Sequence, residues 1–98
     1  MTFFMPHGDP RLTVDDKHVN LVGERVRERR IYLEMTRNEL NARIAEVSNG
    51  GWNPDPQVVQ AIEIGRRRVY DTEVVVLAKA LTVSPLWLLT GQEQWSVG

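Results

Sequence analysis

Residues 36–68 read TRNELNARIAEVSNGGWNPDPQVVQAIEIGRRR, and two helix starts and two helix stops within this stretch decide the fold. Thr36-Arg37-Asn38-Glu39 has capping-box spacing: the threonine oxygen accepts from a first-turn amide and Glu39 reaches back to the amide of the cap. Leu40, Ile44 and Val47 then mark a buried stripe that runs to the breaker Ser48-Asn49-Gly50-Gly51. Asp55-Pro56 is a second start. Aspartate caps open amides, and proline is tolerated at the first helical position because its missing donor has no helical acceptor there. The helix it opens runs from Pro56 to Ile64, and Gly65 closes it as a residue able to turn left-handed after the last turn. At about 100° per residue, Val58, Val59 and Ile62 gather on one side of this helix and Gln57, Gln60, Ala61 and Ile64 on the other.

Outward from this stretch the helical pattern continues. Upstream, Val19, Val22, Val26 and Leu33 recur at helical spacing, which predicts a helix beginning near Val14 or Asn20 and ending at Glu34. Downstream, Asp71 is read as the cap of a helix from Thr72 to about Leu81. Ser84-Pro85 repeats the cap-then-proline signal for a short helix ending at Gly91. Val74-Val75-Val76 resembles a strand, but its place between a cap and Leu77–Leu81 makes it buried helix. Pro6, Gly8 and Pro10 break the first thirteen residues into an aperiodic stretch. The expected organisation is a mobile arm over 1–19, an all-α domain of five short helices over 20–91, and a tail over 92–98 carrying Trp95 and Val97.

Length and composition exclude several classes. The chain has 98 residues, 42% hydrophobic and 26% charged, the profile of one ordinary domain. It has no cysteine, which removes disulfides, thiolate zinc sites and cysteine nucleophiles. His7 and His18, near Asp9, Asp15 and Asp16, lack helical spacing and a third ligand, so no metal site, cofactor or catalytic group is expected. No apolar run approaches the ~20 residues of a bilayer span. The apolar opening is broken at once by Pro6 and Gly8, too soon for a signal peptide, and a cytoplasmic location fits. The net charge of -1 gives no bulk attraction to an anionic partner. Locally, residues 21–43 carry six arginines against four glutamates, and 56–70 carry Arg66, Arg67 and Arg68 against Glu63. Glu/Arg pairing on a solvated helix face explains the first segment as well as an anion-binding surface does. It explains the arginine triplet less well.

The uncharged face of the third helix suits the major groove. Glutamine pairs two-fold with an adenine edge, and small apolar groups meet thymine methyls. Arginines just past the helix end hold phosphates without reading sequence. The rival account of the same face is the solvent side of an ordinary bundle. Arg30 falls on the apolar stripe of the first helix and needs a partner, for which Glu63, bordering the apolar face of the third helix, is the candidate. The alternative role for Arg30 is a phosphate ligand.

Taken in order, Val22–Arg30, Thr36–Leu40, Ile62–Val69 and Leu77–Gly91 resemble the helix-turn-helix domains of lambdoid phage repressors and Cro and of their bacterial Xre-like relatives. The resemblance implies a five-helix lambda-repressor-like domain whose second and third helices read DNA, with Arg30 and Glu63 as its internal ion pair. It also implies Arg37 as a phosphate contact, Gln57 and Ala61 at base-facing positions, and homodimerisation through the end carrying Trp87, Leu88 and Leu89. Three departures stand out. Asn41 and Ala45 occupy positions where the family has a small residue and a turn glycine. Pro56 stands where it often has a base-reading glutamine. The turn is about eight residues longer than the family's roughly four. This insertion, residues 46–54 with Trp52, is open to three readings: a DNA contact, a surface excursion or a protein-binding element.

The reading is a non-enzymatic, sequence-specific regulator of duplex DNA, a repressor acting as a homodimer. It expects base reading by Gln57, Gln60 and Ala61 and phosphate contacts by Arg37, Arg66, Arg67 and Arg68. The rival is a protein-interaction module of the same fold, such as the antitoxin half of a toxin–antitoxin pair, in which the third helix or the Trp52 loop grips a protein.

Overall fold

Thr36 and Glu39 form the box that their spacing predicts. Thr36 Oγ1 accepts from the Glu39 amide at 3.0 Å, and Glu39 Oε1 accepts from the Thr36 amide at 2.8 Å. They open one of five helices in a computed structural model that describes residues 13–92; among these there is no strand. The helices are α1 (Gly23–Tyr32), α2 (Arg37–Val47), α3 (Pro56–Glu63), α4 (Asp71–Leu81) and α5 (Pro85–Thr90). The expected all-helical class is therefore present. The arm's first twelve residues, the tail's Trp95 and Val97, and His7 and Asp9 lie outside the described residues.

Helix α1 starts later than its periodicity predicts. The Asn20 side chain accepts from the Val22 and Gly23 amides at 3.0 and 2.7 Å, so it satisfies first-turn donors from outside the helix. Its amide nitrogen donates to the carbonyls of Ile62 and Arg67 at 3.1 and 2.8 Å, anchoring the start of α1 to the end of α3. Gly23 is required at this junction, because a Cβ there would collide with the Ile62 carbonyl. At the other end, Glu34 turns left-handed (φ 58°) and stops the helix.

Helix α3 opens as expected, with Asp55 Oδ1 accepting from the Gln57 and Val58 amides, and closes at Gly65 in the left-handed region (φ 82°). The expected cap of α4 is corrected. Asp71 is the first helical residue, and extended Tyr70 is the cap, because Glu73 Oε1 takes the Tyr70 amide at 3.1 Å. Ser84 caps α5, and Gly91 ends it.

One core joins these helices. Val22 and Val26 of α1, Leu40 and Ile44 of α2, Val59 and Ile62 of α3, Leu77 and Leu81 of α4, and Leu88 of α5 are buried together. Trp87 of α5 joins Leu88 in this core. Two arginines of α1 span the core edge. Arg29 Nε donates to the Leu81 carbonyl at the end of α4, and Arg25 Nε to the Leu88 carbonyl near the end of α5. Cations suit helix C-termini, where carbonyls lack helical donors.

Candidate nucleic-acid interface

The site is anchored at the end of α3, where Glu63, the last residue of that helix, is 3% exposed. Its two oxygens receive Arg30 Nε at 2.6 Å and Arg30 Nη2 at 3.1 Å, a two-point pair across α1 and α3. Arg30 Nη1 donates to the Met35 carbonyl at 2.8 Å, so this guanidinium is committed inward. That geometry supplies the expected internal ion pair and leaves the phosphate role of Arg30 without support. The pair is a triad, however. Arg37 Nε donates to Glu63 Oε1 at 3.1 Å while the Arg37 side chain stays 36% exposed. One carboxylate thus faces two guanidinium groups, and the surplus positive charge sits at the solvent-facing member. Arg37 lies beside the C-terminal end of α3, the end that also leads into Arg66–Arg68. The cations therefore gather at one end of the helix.

On α3 the periodicity sorts the side chains as expected. Val59 and Ile62 are buried, Gln57 and Gln60 are exposed, and Ala61 is half-buried beside them. The exposed stripe carries amide and apolar groups and no charge. Beyond Gly65 the three arginines diverge. Arg66 and Arg68 are exposed. Arg67 turns inward and forms a two-point pair with Glu73, Nη1–Oε1 at 2.9 Å and Nη2–Oε2 at 3.2 Å. Its Nη1 also donates to the Arg68 carbonyl at 2.8 Å, and its guanidinium lies 5.8 Å from the centroid of the Trp52 ring. Glu73 is partly buried, which pushes its carboxyl up, but the Arg67 hydrogen bond, the Tyr70 amide and the Arg67 charge outweigh this and hold it below the usual range. A depressed carboxyl stabilises above its unfolded pKa, so this brace is complete at neutral pH and disappears as pH falls through the lowered folded value. Arg67 is correspondingly held above the usual range, first by its hydrogen bond to Glu73.

The insertion has internal order. Ser48 Oγ accepts from the Trp52 amide at 3.0 Å, and Asn49 and Gly50 take positive φ, so the chain doubles back after α2. Asn41 of α2 donates to Asn53 Oδ1 at 3.0 Å across the base of the loop. Half-buried Trp52 packs against the core on the way to Arg67, a strut between the core and the arginine loop. Sequence reasoning misses this strut, and it misses Asn20 and Glu73 as well. Asn20 carries a local signal, being a capping residue type two and three positions before the amides that it accepts from, but Tyr70 is not a capping type that would mark Glu73, and nothing local marks Trp52.

Residues 13–19, which the sequence reading places in the arm, lie against the same end of α3. The Val19 amide donates to the Gly65 carbonyl at 2.8 Å, and the His18 ring covers Gly65. Asp15, whose carboxyl is held low by the Lys17 amide and the His18 side chain, pairs with His18 Nδ1 at 2.9 Å. Among the described residues no group of three histidine, aspartate or glutamate side chains is placed to hold a metal, and no helix is long and apolar enough to cross a membrane.

Of the predicted site, α3 brings Gln57, Gln60 and Ala61 onto one face, while Arg37, Arg66 and Arg68 lie outward at its C-terminal end and Arg67 lies inward. Compared with protein-family models, with curated proteins and with solved structures, the chain matches none.

Proposed function

We propose that this chain is a sequence-specific, non-enzymatic DNA-binding regulator with a lambda-repressor-like helix-turn-helix, working in the cytoplasm as a repressor and homodimer. The observation that carries the reading is the uncharged stripe of exposed Gln57 and Gln60 beside half-buried Ala61 on a capped helix whose C-terminal end has arginines Arg37, Arg66 and Arg68 beside it. Amides at exposed positions suit base edges, and cations at the end of the helix suit the phosphates that flank a groove. Helices α2 and α3 form the reading unit, with residues 48–55 as the turn; it has eight residues in all, shorter than the roughly twelve expected from the sequence, because Glu46 and Val47 still belong to α2. The motif resemblance supports the same assignment.

Selection of bound sequences from random duplexes tests this directly, and the expected outcome is an inverted repeat. Binding should weaken steeply with salt, since a protein that neutralises six to ten phosphates binds about 10³- to 10⁵-fold more weakly at 200 mM salt than at 50 mM. The arginines should separate. Arg66→Ala frees one phosphate per protomer, two per homodimer, and lowers the salt slope by about 2. Arg67→Ala leaves the slope nearly unchanged and costs about 1 kcal/mol of stability, because its charge is already paired with Glu73. Equal slope changes in the two variants would show that Arg67 abandons Glu73 for DNA.

A second reading, a protein-binding module such as an antitoxin, is favoured by one observation. Arg25, Arg29, Arg30 and Arg67 are all engaged inside the molecule, which leaves less outward positive charge than the sequence count implies. Salt-insensitive capture of a protein, with no duplex selected, would establish it.

A further inference from the structure

We infer that Ile64, by the reading of α3 proposed above, is a further specificity-determining residue that meets a thymine methyl about three base pairs from the base addressed by Gln57. Ile64 is seven residues after Gln57 and three after Ala61, so it falls on the same stripe of α3. Its amide donates to the Gln60 carbonyl at 3.0 Å, the helical bond to the residue four back, so its side chain continues that stripe although its own backbone (φ -90°, ψ 4°) has already left helical values. Gly65 then turns the chain away, which makes Ile64 the last side chain the helix presents.

The neighbouring Ile62 is fully buried, whereas Ile64 is 46% exposed. A single exposed isoleucine is common on protein surfaces, and alone it says nothing. Here it stands in an uncharged stripe, two residues before exposed Arg66. A protein interface needs a contiguous apolar centre, and Gln57 and Gln60 on this face do not provide one. A polyanion with isolated apolar spots does fit, and among duplex bases the thymine methyl is the apolar group in the major groove. At 1.5 Å rise per residue, Gln57 and Ile64 are about 10 Å apart along the helix, which is about three base-pair steps of 3.4 Å for a helix lying along the groove.

The test uses the full chain and the selected duplex, with each thymine replaced singly by deoxyuridine, which removes only the methyl group. At one thymine per half-site, about three positions from the base whose preference depends on Gln57, this change should weaken binding about fourfold, the worth of burying one methyl-sized group. For Ile64→Ala the same replacement should cost nothing, while Ile64→Val, which keeps a branched apolar group, should restore part of the effect. If a motif is selected but deoxyuridine costs wild type and Ile64→Ala equally, the inference is overturned and the DNA-binding reading stands. If the folded protein selects no duplex, the reading of α3 itself fails, and the role of Ile64 fails with it.

Discussion

Glu63→Ala should lose about 3–5 kcal/mol of folding stability, and Arg30→Ala a comparable amount. Each removes one member of a buried charge pair and strands the other where water cannot replace the missing partner. Glu63 is the more severe site, because its carboxylate receives both Arg30 and Arg37. A domain of this size melts roughly 4–8 °C lower per kcal/mol, so a fall on the order of 20 °C is expected in a thermal scan. With total stabilities of about 5–15 kcal/mol typical, these variants approach the limit of folding. Arg37→Ala is the control. It leaves the Arg30–Glu63 pair intact and removes a partly exposed side chain, so its cost should stay within about 1 kcal/mol. Replacing both Arg30 and Glu63 by apolar residues of similar volume should recover most of the stability, because the penalty belongs to the unpaired charge. Denaturant midpoints of Arg30→Ala and Glu63→Ala equal to that of wild type would disprove the buried pair.

Gln57→Ala should relax base preference at one position by roughly 1–3 kcal/mol per half-site, while nonspecific binding stays nearly intact. Gln57 lies in the first turn of α3, exposed, with its backbone amide already satisfied by Asp55, so its side-chain amide remains available for a base edge. An adenine edge offers one acceptor and one donor, and an amide side chain meets both at once. Arginines on phosphates hold every sequence alike, which is why the change should appear in the selected motif and leave the salt slope untouched. The proposed dimer would present two copies of α3 about 34 Å apart, one helical turn, so the change should appear symmetrically in both halves of the motif. An unchanged motif in Gln57→Ala would move recognition away from this face, and the Asn53–Trp52 loop, hydrogen-bonded to α2 through Asn41, would be the next candidate.

The sequence alone determined most of the features whose causes lie within one helical turn, the Tyr70–Glu73 cap of α4 and the Asn20 cap of α1 being the exceptions. The Thr36–Glu39 box, the Asp55 and Ser84 caps before proline, and the glycines after α3 and α5 each depend on groups two to four residues apart, so spacing suffices to read them. The Arg30–Glu63 pair was legible for a different reason: an arginine on an apolar stripe demands an opposite charge, and few candidates border the facing stripe. Only the tertiary structure decided where the other cations went. Arg25 and Arg29 end on carbonyls of Leu88 and Leu81, more than fifty residues away. Arg67 folds onto Glu73 and over Trp52, and Asn20 delays the start of α1 by bonding to α3. A guanidinium reads the same in a sequence whether it caps a helix, braces a loop or faces solvent. Which of these it does depends on the carbonyls and carboxylates that packing brings within about 3 Å of it.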